Sequence, residues 1–376
     1  MSFVDDGAGS PAGPGAPGLP EQAYWVAFHR VPYVGPARLR RLLDHFGTLR
    51  DAWHAAEPAL RACLEERARL ALVATRRALD PGRLLEQLER DGVRVVTLID
   101  DAYPASLRQV SAPPPVLYYR GELLETDRVA VAVVGTRRVT AYGREMASRI
   151  AGDLARSGVT IVSGLARGID GVAHQAALDA GGRTIAVLGS GVNRVYPPEH
   201  RHLARRIMEQ GAVLSDYSPD TPPEGVNFPP RNRIISGLSL GVVVVEAPDR
   251  SGALITVDFA ADQGRDVFAV PGPATAPNSA GCNRLLREGA RLVRSAEDIL
   301  EDLALDRRKE AGAIQQALPL GEEDRRLLAV LTPTPQHIDD LALLADASVS
   351  EVAARLMTLE LQGLVRNAGA QHYTLA

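Results

Sequence analysis

The sequence predicts an α/β protein: an extended, Rossmann-like doubly wound parallel sheet, with a small helical domain before it and a winged-helix domain after it. Three observations support this. Between residues 81 and 300, short apolar runs alternate with amphipathic helical segments. The runs, such as Val242 to Glu246, show no polar alternation, as expected for strands covered on both faces. The flanking segments follow a helical period.

The length and the local composition predict five segments. A chain of 376 residues is too long for a single core. Residues 1–20 are rich in Gly, Pro and Ala, which predicts a disordered tail. Residues 21–80 are expected to form the helical domain, residues 81–300 the sheet domain, residues 301–320 a charged linker and residues 321–376 the winged helix.

The helical domain carries one recognisable turn. From Val31 to Leu43, Pro and Gly precede an amphipathic helix. This arrangement resembles a helix–hairpin–helix turn or a small domain of the sterile-alpha-motif type, and the residues do not decide between them. Weak DNA contact and simple helical packing are both compatible with this segment.

The apolar runs of the sheet domain predict seven strands. If they are parallel, ligands are expected at their carboxyl ends. The predicted strands are Arg94–Leu98, Val129–Val134, Thr160–Ser163, Thr184–Leu188, Ala212–Leu214, Val242–Glu246 and Val267–Val270.

The C-terminal segment is typical of a winged helix-turn-helix. Thr334-Pro335 is predicted to start a helix that runs through Leu344, and Ser348 with Glu351 forms a capping box for the next helix. Val365–Leu375 is expected to form the wing. Residues 321–376 hold 4 Arg and 8 acidic residues, so phosphate repulsion opposes docking into a DNA groove. Protein contact or packing is the expected role.

Two tandem glycine turns are the strongest functional signal. One holds Gly135, Thr136 and Arg137, and the other holds Ser163, Gly164, Arg167 and Gly168. A strand that ends in glycine and opens a helix directs backbone N–H groups at one spot, where the helix dipole favours an anion. Arginine adds a fork that matches phosphate. Two such turns predict a surface for several phosphates.

Other polar residues follow the remaining strands. The loop from Pro229 to Ile235 carries Arg231, Asn232 and Arg233, and Ser251-Gly252 resembles another helix N-terminus open to an anion. Glu246 is a candidate orienting carboxylate at a strand end. Asp170 and His174 lie four residues apart on one helix face, which favours a structural hydrogen-bonded pair over an acid/base role.

Several function classes lack their signature. Lys309 is the only lysine, so there is neither a Walker A loop nor a buried Schiff-base lysine. The dinucleotide fingerprint is missing. Cys63 and Cys282 form neither a disulfide framework nor a zinc spacing. The sequence shows no signal-peptide pattern and no membrane-spanning run, so we expect a cytoplasmic protein without membrane contact. Because the motifs named above are missing, we expect no cofactor, metal or catalytic site.

Several short sequence motifs between about residues 95 and 295 resemble those of a known protein family. The chain closely resembles the DNA-processing protein A family, DprA or Smf; the flanking domains match its layout more loosely. The strings that carry the resemblance are Val134–Arg137, Tyr142-Gly143, Ser163–Asp170 with Ala173-His174, Thr184–Gly191, Tyr196-Pro197, Phe228–Ile235, Val244–Ala247 with Ser251–Thr256, Val270–Gly272 and Gly281–Asn283.

The resemblance implies an extended Rossmann domain that binds single-stranded DNA, forms a homodimer and helps load RecA during natural transformation, without established catalysis. Carried over position by position, the candidate DNA-binding residues are Gly135, Thr136, Arg137, Ser163, Gly164, Arg167 and Gly168, with Arg231, Asn232 and Arg233 weaker, and with Ser251 and Gly252 added from their own pattern.

This chain departs mildly from the family at three positions. Thr136 stands where many members have serine, and Arg167 where many have lysine, so the hydroxyl and the charge are kept. Gly-Cys-Asn at Gly281–Asn283 replaces the commoner Gly-Ser-Asn. Aromatic residues make up only 5% of the chain, so phosphate contacts should dominate over base stacking. Tyr142, Tyr196 and Phe228 are the candidates for stacking.

An enzyme is the alternative interpretation. Related Rossmann proteins hydrolyse nucleoside monophosphates as phosphoribohydrolases, with a Pro-Gly-Gly-x-Gly-Thr loop and a glutamate. The nearest string here, Pro271 to Thr275, lacks those glycines. The absence of that loop favours a DNA-binding protein over an enzyme.

Overall fold

The protein divides into two compact units. The computed structural model describes residues 19–305, 321–332, 335–345, 347–361, 364–369 and 371–375. The first unit lies within residues 1–296 and the second within residues 297–376. The predicted tail falls outside the described residues up to position 18, and so does the predicted linker from position 306.

The first unit begins with helices and continues with alternating strands and helices. Its helices are α1 Glu21–His29, α2 Pro36–Phe46, α3 Leu49–His54, α4 Glu66–Ala78, α5 Pro81–Arg90, α6 Ala105–Arg108, α7 Ala141–Arg156, α8 Ile169–Asp179, α9 Arg201–Gln210, α10 Phe228–Gly237, α11 Leu254–Asp262, α12 Ala280–Arg287 and α13 Ala296–Asp302, the last of which runs past the unit boundary. Its strands are β1 Arg94–Thr97, β2 Val116–Gly121, β3 Ala130–Val134, β4 Thr160–Ser163, β5 Thr184–Val187, β6 Ala212–Ser215, β7 Gly241–Val244, β8 Asp266–Ala269 and β9 Arg291–Leu292.

The strands form one sheet with a topological switch point. Its order is β1-β2-β6-β5-β4-β3-β7-β8-β9. The seven strands from β6 to β9 in this order are parallel, whereas β1 and β2 are antiparallel additions at one edge. From β3 the chain first moves outward through β4, β5 and β6, and then returns to the other side of β3 as β7. Ligands of such sheets bind beside this reversal, at the carboxyl ends of the strands.

All seven predicted strands are present, and their ends agree with the prediction to within two residues. The apolar runs from β3 to β7 were readable because helices cover both faces and every residue of these strands is buried. Two further strands were not predicted. β2 follows three prolines, and β9 has only two residues, both exposed.

The helical segment packs directly on the sheet. Trp25, Phe28 and Leu72 share a core with Tyr118 of β2 and with Val192. The central strands carry a second core under α10, α11 and α12. The helices and the sheet therefore lie in one compact unit, and the boundaries proposed from the sequence stay a prediction.

The second unit has the elements of a winged helix. It contains α14 Glu322–Val330, β10 Gln336–His337, α15 Ile338–Ala345, α16 Val349–Leu361, β11 Val365–Gly369 and β12 His372–Leu375. The strands pair in the order β10-β12-β11, so the predicted wing is present. The Ser348 amide donates to Glu351 (3.0 Å) and the Glu351 amide donates to Ser348 Oγ (3.3 Å), which confirms the capping box.

One predicted helix start in this unit is wrong. Thr334 lies outside the described residues, and Gln336 and His337 pair with β12 instead of opening a helix. The helix begins at Ile338, and Asp339 and Asp340 lie in its first turn, where acidic side chains favour the dipole. Within the described residues, no helix combines the length and the apolar character that crossing a membrane requires.

Candidate nucleic-acid interface

A cleft of about 640 Å³ lies at the switch point of the sheet. Its walls are formed by the turns after β3 and β4, the loop after β5, α10 with the segment before it, and α11 with the loop that precedes it. The residues that line it are Val134–Arg137, Ala166, Asp170, Tyr196, Pro223, Gly225, Phe228, Pro229, Arg231, Asn232, Ile235, Pro248, Arg250–Ala253, Ile255 and Thr256. The cleft is therefore where a doubly wound sheet is expected to bind its ligand.

The two glycine turns lie against each other. The Ile169 amide donates to the Thr136 carbonyl (3.2 Å). Gly168 has a φ of +80°, and a Cβ at this position would lie 2.2 Å from the Thr136 oxygen. Gly135 is equally confined, since its Cβ would lie 2.6 Å from Ile169. Only glycine permits this approach, so the glycines bring Arg137 and Arg167 to one surface.

Glu246 fixes the turn after β3. Its buried carboxylate accepts hydrogen bonds from the amide (3.0 Å) and the hydroxyl (2.6 Å) of Thr140, the residue that caps α7. Its carbonyl accepts from the Thr136 amide (2.7 Å). A Cβ on Gly143 would clash with the same carboxylate, which explains the Tyr-Gly pair of the sequence. The prediction of an orienting carboxylate is confirmed.

The two exposed arginines converge on one aromatic pair. The Arg137 guanidinium lies 5.9 Å from the centroid of the Phe228 ring, within cation–π range. The Phe228 ring lies 5.8 Å from the Tyr196 ring, and Arg167 interacts with the Tyr196 hydroxyl. Arg167 also donates to Glu199, which lowers the pKa of that carboxyl. The guanidinium groups therefore lie on one side of the molecule.

A further cation, Arg250, lines the cleft from the loop between β7 and α11. Arg250 is exposed, and the structure pairs it with no carboxylate among the described residues. It precedes Ser251 and Gly252, which line the same wall just ahead of α11. Asn232 of α10 donates to the Gly252 carbonyl (3.4 Å) and so ties this wall to the helix. Sequence reasoning singled out Ser251-Gly252 but missed Arg250, although its place beside that pair was the available signal.

Free backbone donors accompany the arginines. Among the described residues, the structure gives no hydrogen-bond acceptor to the amides of Arg137, Arg167, Gly168 and Gly252. The amide of Thr136 is not free, since it donates to Glu246. The anion donors predicted at the two turns are therefore fewer than the glycine pattern alone suggests, and the arginines carry more of the positive charge.

The Pro229–Ile235 segment is a helix and not the predicted loop. Pro229 and Pro230 occupy the first turn of α10, where no amide donor is needed. Arg233 faces away from the cleft, because it binds Asp216 (2.6 Å) and the Ala112 carbonyl (2.6 Å). The prediction that it contacts DNA is therefore not supported by its geometry.

Arg231 forms part of the floor of the cleft but is almost fully buried. It is 5% exposed and donates to the Gly164 carbonyl (2.9 Å). Burial lowers its pKa to about 10, while nearby Asp170 opposes the shift, so the guanidinium stays charged at neutral pH. Its low exposure leaves little of the side chain for the surface contact that the sequence predicts, and that contact stays a prediction.

Ser163, Gly164 and the Asp170–His174 pair are structural. The Ser163 hydroxyl donates to the Val133 carbonyl (2.6 Å) and Gly164 is buried, so neither reaches the surface. Asp170 accepts from the amides of Gly164 and Ala166, each at 3.2 Å. His174 instead bonds Thr184 Oγ1 (2.6 Å). The predicted bond between Asp170 and His174 is wrong, although both side chains do hold the fold together.

This arrangement is suited to binding an anion. Asp170 is the one carboxylate in the lining of the cleft, and burial raises its pKa while Arg231 and two amides oppose the rise. Its oxygen is held by those amides, so it is not placed as a free acid or base. Arg137 and Arg250 remain open to solvent. The cleft therefore offers cations, amides and a half-buried aromatic ring to a ligand.

The chain is similar to known DNA-processing proteins. Residues 94–304 match the family described as DNA recombination-mediator protein A, and residues 311–370 match the DprA winged helix domain. Protein Smf of Synechocystis is 36% identical over 94% of this chain and 98% of its own length. Protein Smf of Escherichia coli is 40% identical over 83% of this chain and 87% of its own length.

Two solved structures share the fold. The X-ray structure of DNA processing protein A from Streptococcus pneumoniae matches with a TM-score of 0.66 and 34% identity, over 74% of this chain and 97% of that one. The structure of DNA processing protein A from Helicobacter pylori matches with a TM-score of 0.51 and 30% identity, over 57% of this chain and 97% of that one. The Helicobacter pylori structure concerns the single-stranded DNA binding mode of that protein.

Proposed function

Because the chain belongs to the DNA recombination-mediator protein A family, also called DprA or Smf, we propose that it binds single-stranded DNA through the sugar-phosphate backbone. The binding site is the switch-point cleft. The bound strand is then passed to RecA during natural transformation, and the protein acts as a homodimer without catalysing a covalent step.

The convergence of Arg137 and Arg167 on the Tyr196–Phe228 pair carries this proposal. Guanidinium forks neutralise phosphates, while a half-exposed ring offers a face on which any base can stack. Neither contact reads sequence, so the preference among bases should be weak. The single-strand binding described for the Helicobacter pylori relative supports the choice of ligand.

Each wall of the cleft has a part in binding. Arg137 and Arg250 hold phosphates in the cleft, where the free amide of Gly252 donates to a phosphate oxygen. The free amide of Gly168 donates beside the cleft, in the turn that carries Arg167. Arg167 exchanges its exposed Glu199 partner for a phosphate, because an exposed ion pair contributes little stability. Gly135 and Thr136 hold the turn in place, while Arg231 adds charge beneath it.

A fluorescence titration with labelled oligo-dT tests the site. Arg137→Ala removes one exposed guanidinium at the carboxyl end of β3, and we expect affinity to fall about ten-fold, or about 1.4 kcal/mol. Arg128→Ala is the matched control, since this exposed arginine lies just before β3, at its other end. Equal affinity of the two variants would overturn the proposed site.

The transfer to RecA needs its own test. Strand exchange is measured with RecA and single-strand-binding protein present, with and without this protein. We expect acceleration that Arg137→Ala weakens, because loading requires the bound strand. Acceleration that is independent of Arg137 would separate loading from the cleft. Sedimentation equilibrium of the same sample tests the homodimer.

A further inference from the structure

A second groove, of about 390 Å³, is lined by four arginines and by no acidic residue. It lies between α9 and the loop that follows β5, and we call it the arginine groove. The residues that line it are Arg120, Val192–Tyr196, Pro198, Arg201, Ala204, Arg205, Met208 and Pro223. A chain with a net charge of −4 has here a concentration of positive charge that its composition does not suggest.

Three of these arginines have no ion-pair partner among the residues that the structure describes. Arg120 is occupied, because it donates to the Asp91 carbonyl (2.8 Å) and to Asn193 (2.9 Å). Arg194, Arg201 and Arg205 are exposed, and no carboxylate of the described residues forms an ion pair with them. Arg206, next along α9, does bind Asp179 (2.9 Å). Helix α9 therefore pairs the arginine on its other face and leaves the groove face unpaired.

The stability of the helix does not explain this placement. Arg201 is the first residue of α9, where the dipole disfavours a cation, and the first turn holds no acidic residue. Arg201 and Arg205 are four positions apart, so their like charges repel along one face of the helix. Local choices that oppose folding are expected where a surface serves binding.

The arginine groove continues the switch-point cleft. Tyr196 and Pro223 line both cavities. Tyr196 is 38% exposed and its ring lies against Phe228, which places an aromatic face at the junction. A flexible polymer that leaves the cleft past Tyr196 enters the groove directly.

We propose that the arginine groove binds the continuing backbone of the single strand held in the cleft. This inference rests on the proposed function. One negative charge per nucleotide matches a series of unpaired cations along a continuous path, whereas a small anion would use only part of it. The groove thus extends the length of DNA that each protomer covers.

Titrations with oligonucleotides of different lengths distinguish the contributions of the two cavities to binding. The variant Arg194→Ala/Arg201→Ala/Arg205→Ala is titrated with labelled oligo-dT of increasing length. We expect wild-type affinity for the shortest strands that bind, and a loss of about ten-fold or more for longer strands. With long strands, the slope of log affinity against log salt should flatten by about 2, at about 0.7 for each lost phosphate contact.

A matched triple controls for bulk charge. Arg61, Arg77 and Arg83 are exposed on the helical segment, so their replacement by alanine changes the net charge equally. Equal losses in both triples, or an unchanged slope in the groove triple, would overturn the proposal. So would tighter binding of poly-glutamate than of oligo-dT at the groove, because the occupant would then be an acidic protein segment.

The test also separates this inference from the proposed function. If Arg137→Ala weakens binding at every length and the groove triple at none, only the extension fails. If the wild-type protein binds no oligo-dT, the proposed function fails as well. Circular dichroism of each variant confirms that a lost affinity does not reflect unfolding.

Discussion

Arg137 and Arg250 in the cleft of the first unit and Arg355 in the second unit are used in opposite ways. In the cleft, Arg137 and Arg250 are exposed and unpaired among the described residues. In the winged helix, Arg355 of α16 binds both Glu323 and Asp324 of α14. An arginine in the first region is available to a ligand, and one in the second joins two helices.

The comparison predicts that a binding surface lies where unpaired cations gather away from free carboxylates, and that the net charge of a unit does not locate it. In the sheet domain the basic and acidic residues are equal in number, and the chain as a whole has a negative net charge. What distinguishes the cleft is that glycine turns bring cations together where carboxylates are either absent or held by amides. A winged helix, by contrast, suggests DNA binding by its fold, while its acidic surface opposes it.

Acid should affect the first unit most strongly. Burial lowers the pKa of His29 to about 4 and that of His174 to about 3, below the ordinary value of 6.5. The fold therefore keeps both histidines neutral, and the unfolded chain binds their protons first. The contribution of these neutral histidines to the free energy of unfolding is fully present above about pH 6.5. Below that pH, each histidine lowers the free energy of unfolding by up to about 1.4 kcal/mol per pH unit.

Tryptophan fluorescence measures this loss in the first unit alone, because Trp25 and Trp53 are the only tryptophans. Urea midpoints at pH 7.5 and pH 5 should differ, with the lower midpoint at pH 5. His29→Gln should reduce the difference, and replacement of the exposed His202 should not. Identical midpoints at the two pH values would contradict the assignment.

Gly168→Ala should break the contact between the two turns. The φ of +80° and the Thr136 oxygen 2.2 Å from the new Cβ together predict a loss of about 3 kcal/mol and weaker DNA binding. Gly158 is the control, since its φ is +77° but no atom lies within 4 Å of its Cβ. Gly158→Ala should cost about 1 kcal/mol and leave DNA binding unchanged. Denaturant unfolding and oligo-dT titration measure both effects.

Glu246→Gln should loosen the turn after β3 with a smaller effect. The variant keeps the shape but loses the charged acceptor of two Thr140 hydrogen bonds, so we expect a loss of about 2 kcal/mol. Exposed Glu209→Gln is the control. If both substitutions leave the urea midpoint unchanged, Glu246 does not orient the turn.

Removal of residues 321–376 should have the smallest effect on binding. In the winged helix, Arg355 is held in ion pairs and acidic residues outnumber arginines, so affinity for oligo-dT should change less than about two-fold. A ten-fold loss on truncation would place DNA contacts in the second unit and erase the contrast between the two regions.

The sequence predicted the strands of the sheet better than it predicted which charged residues are exposed and which are buried or paired. Uniformly apolar strands such as β3 and β7 are readable because both faces are buried, and the glycine turns are readable because close backbone approach requires glycine. The sequence predicted that Arg231 and Arg233 face the ligand, because the sequence alone does not show which face of a helix is buried. The Pro-Pro pair also concealed that α10 is a helix at all.

Spacing along the chain also failed to predict which residues are hydrogen-bonded to each other. Asp170 and His174 have the spacing of a helical pair, yet each finds a closer partner from another element, the amides after β4 for Asp170 and Thr184 of β5 for His174. The arginine groove became visible only when the fold placed distant loops side by side. Tertiary contacts, and not local pattern, decide which charges remain unpaired.

The salt dependence of oligo-dT binding tests the central claim most directly. Arg137→Ala/Arg250→Ala is compared with Arg325→Ala/Arg326→Ala, which removes two exposed arginines from α14 and changes the net charge equally. The cleft variant should flatten the slope of log affinity against log salt by about 1.4, at about 0.7 per phosphate, and the α14 variant should keep the wild-type slope. Equal slopes in the two variants would contradict the account.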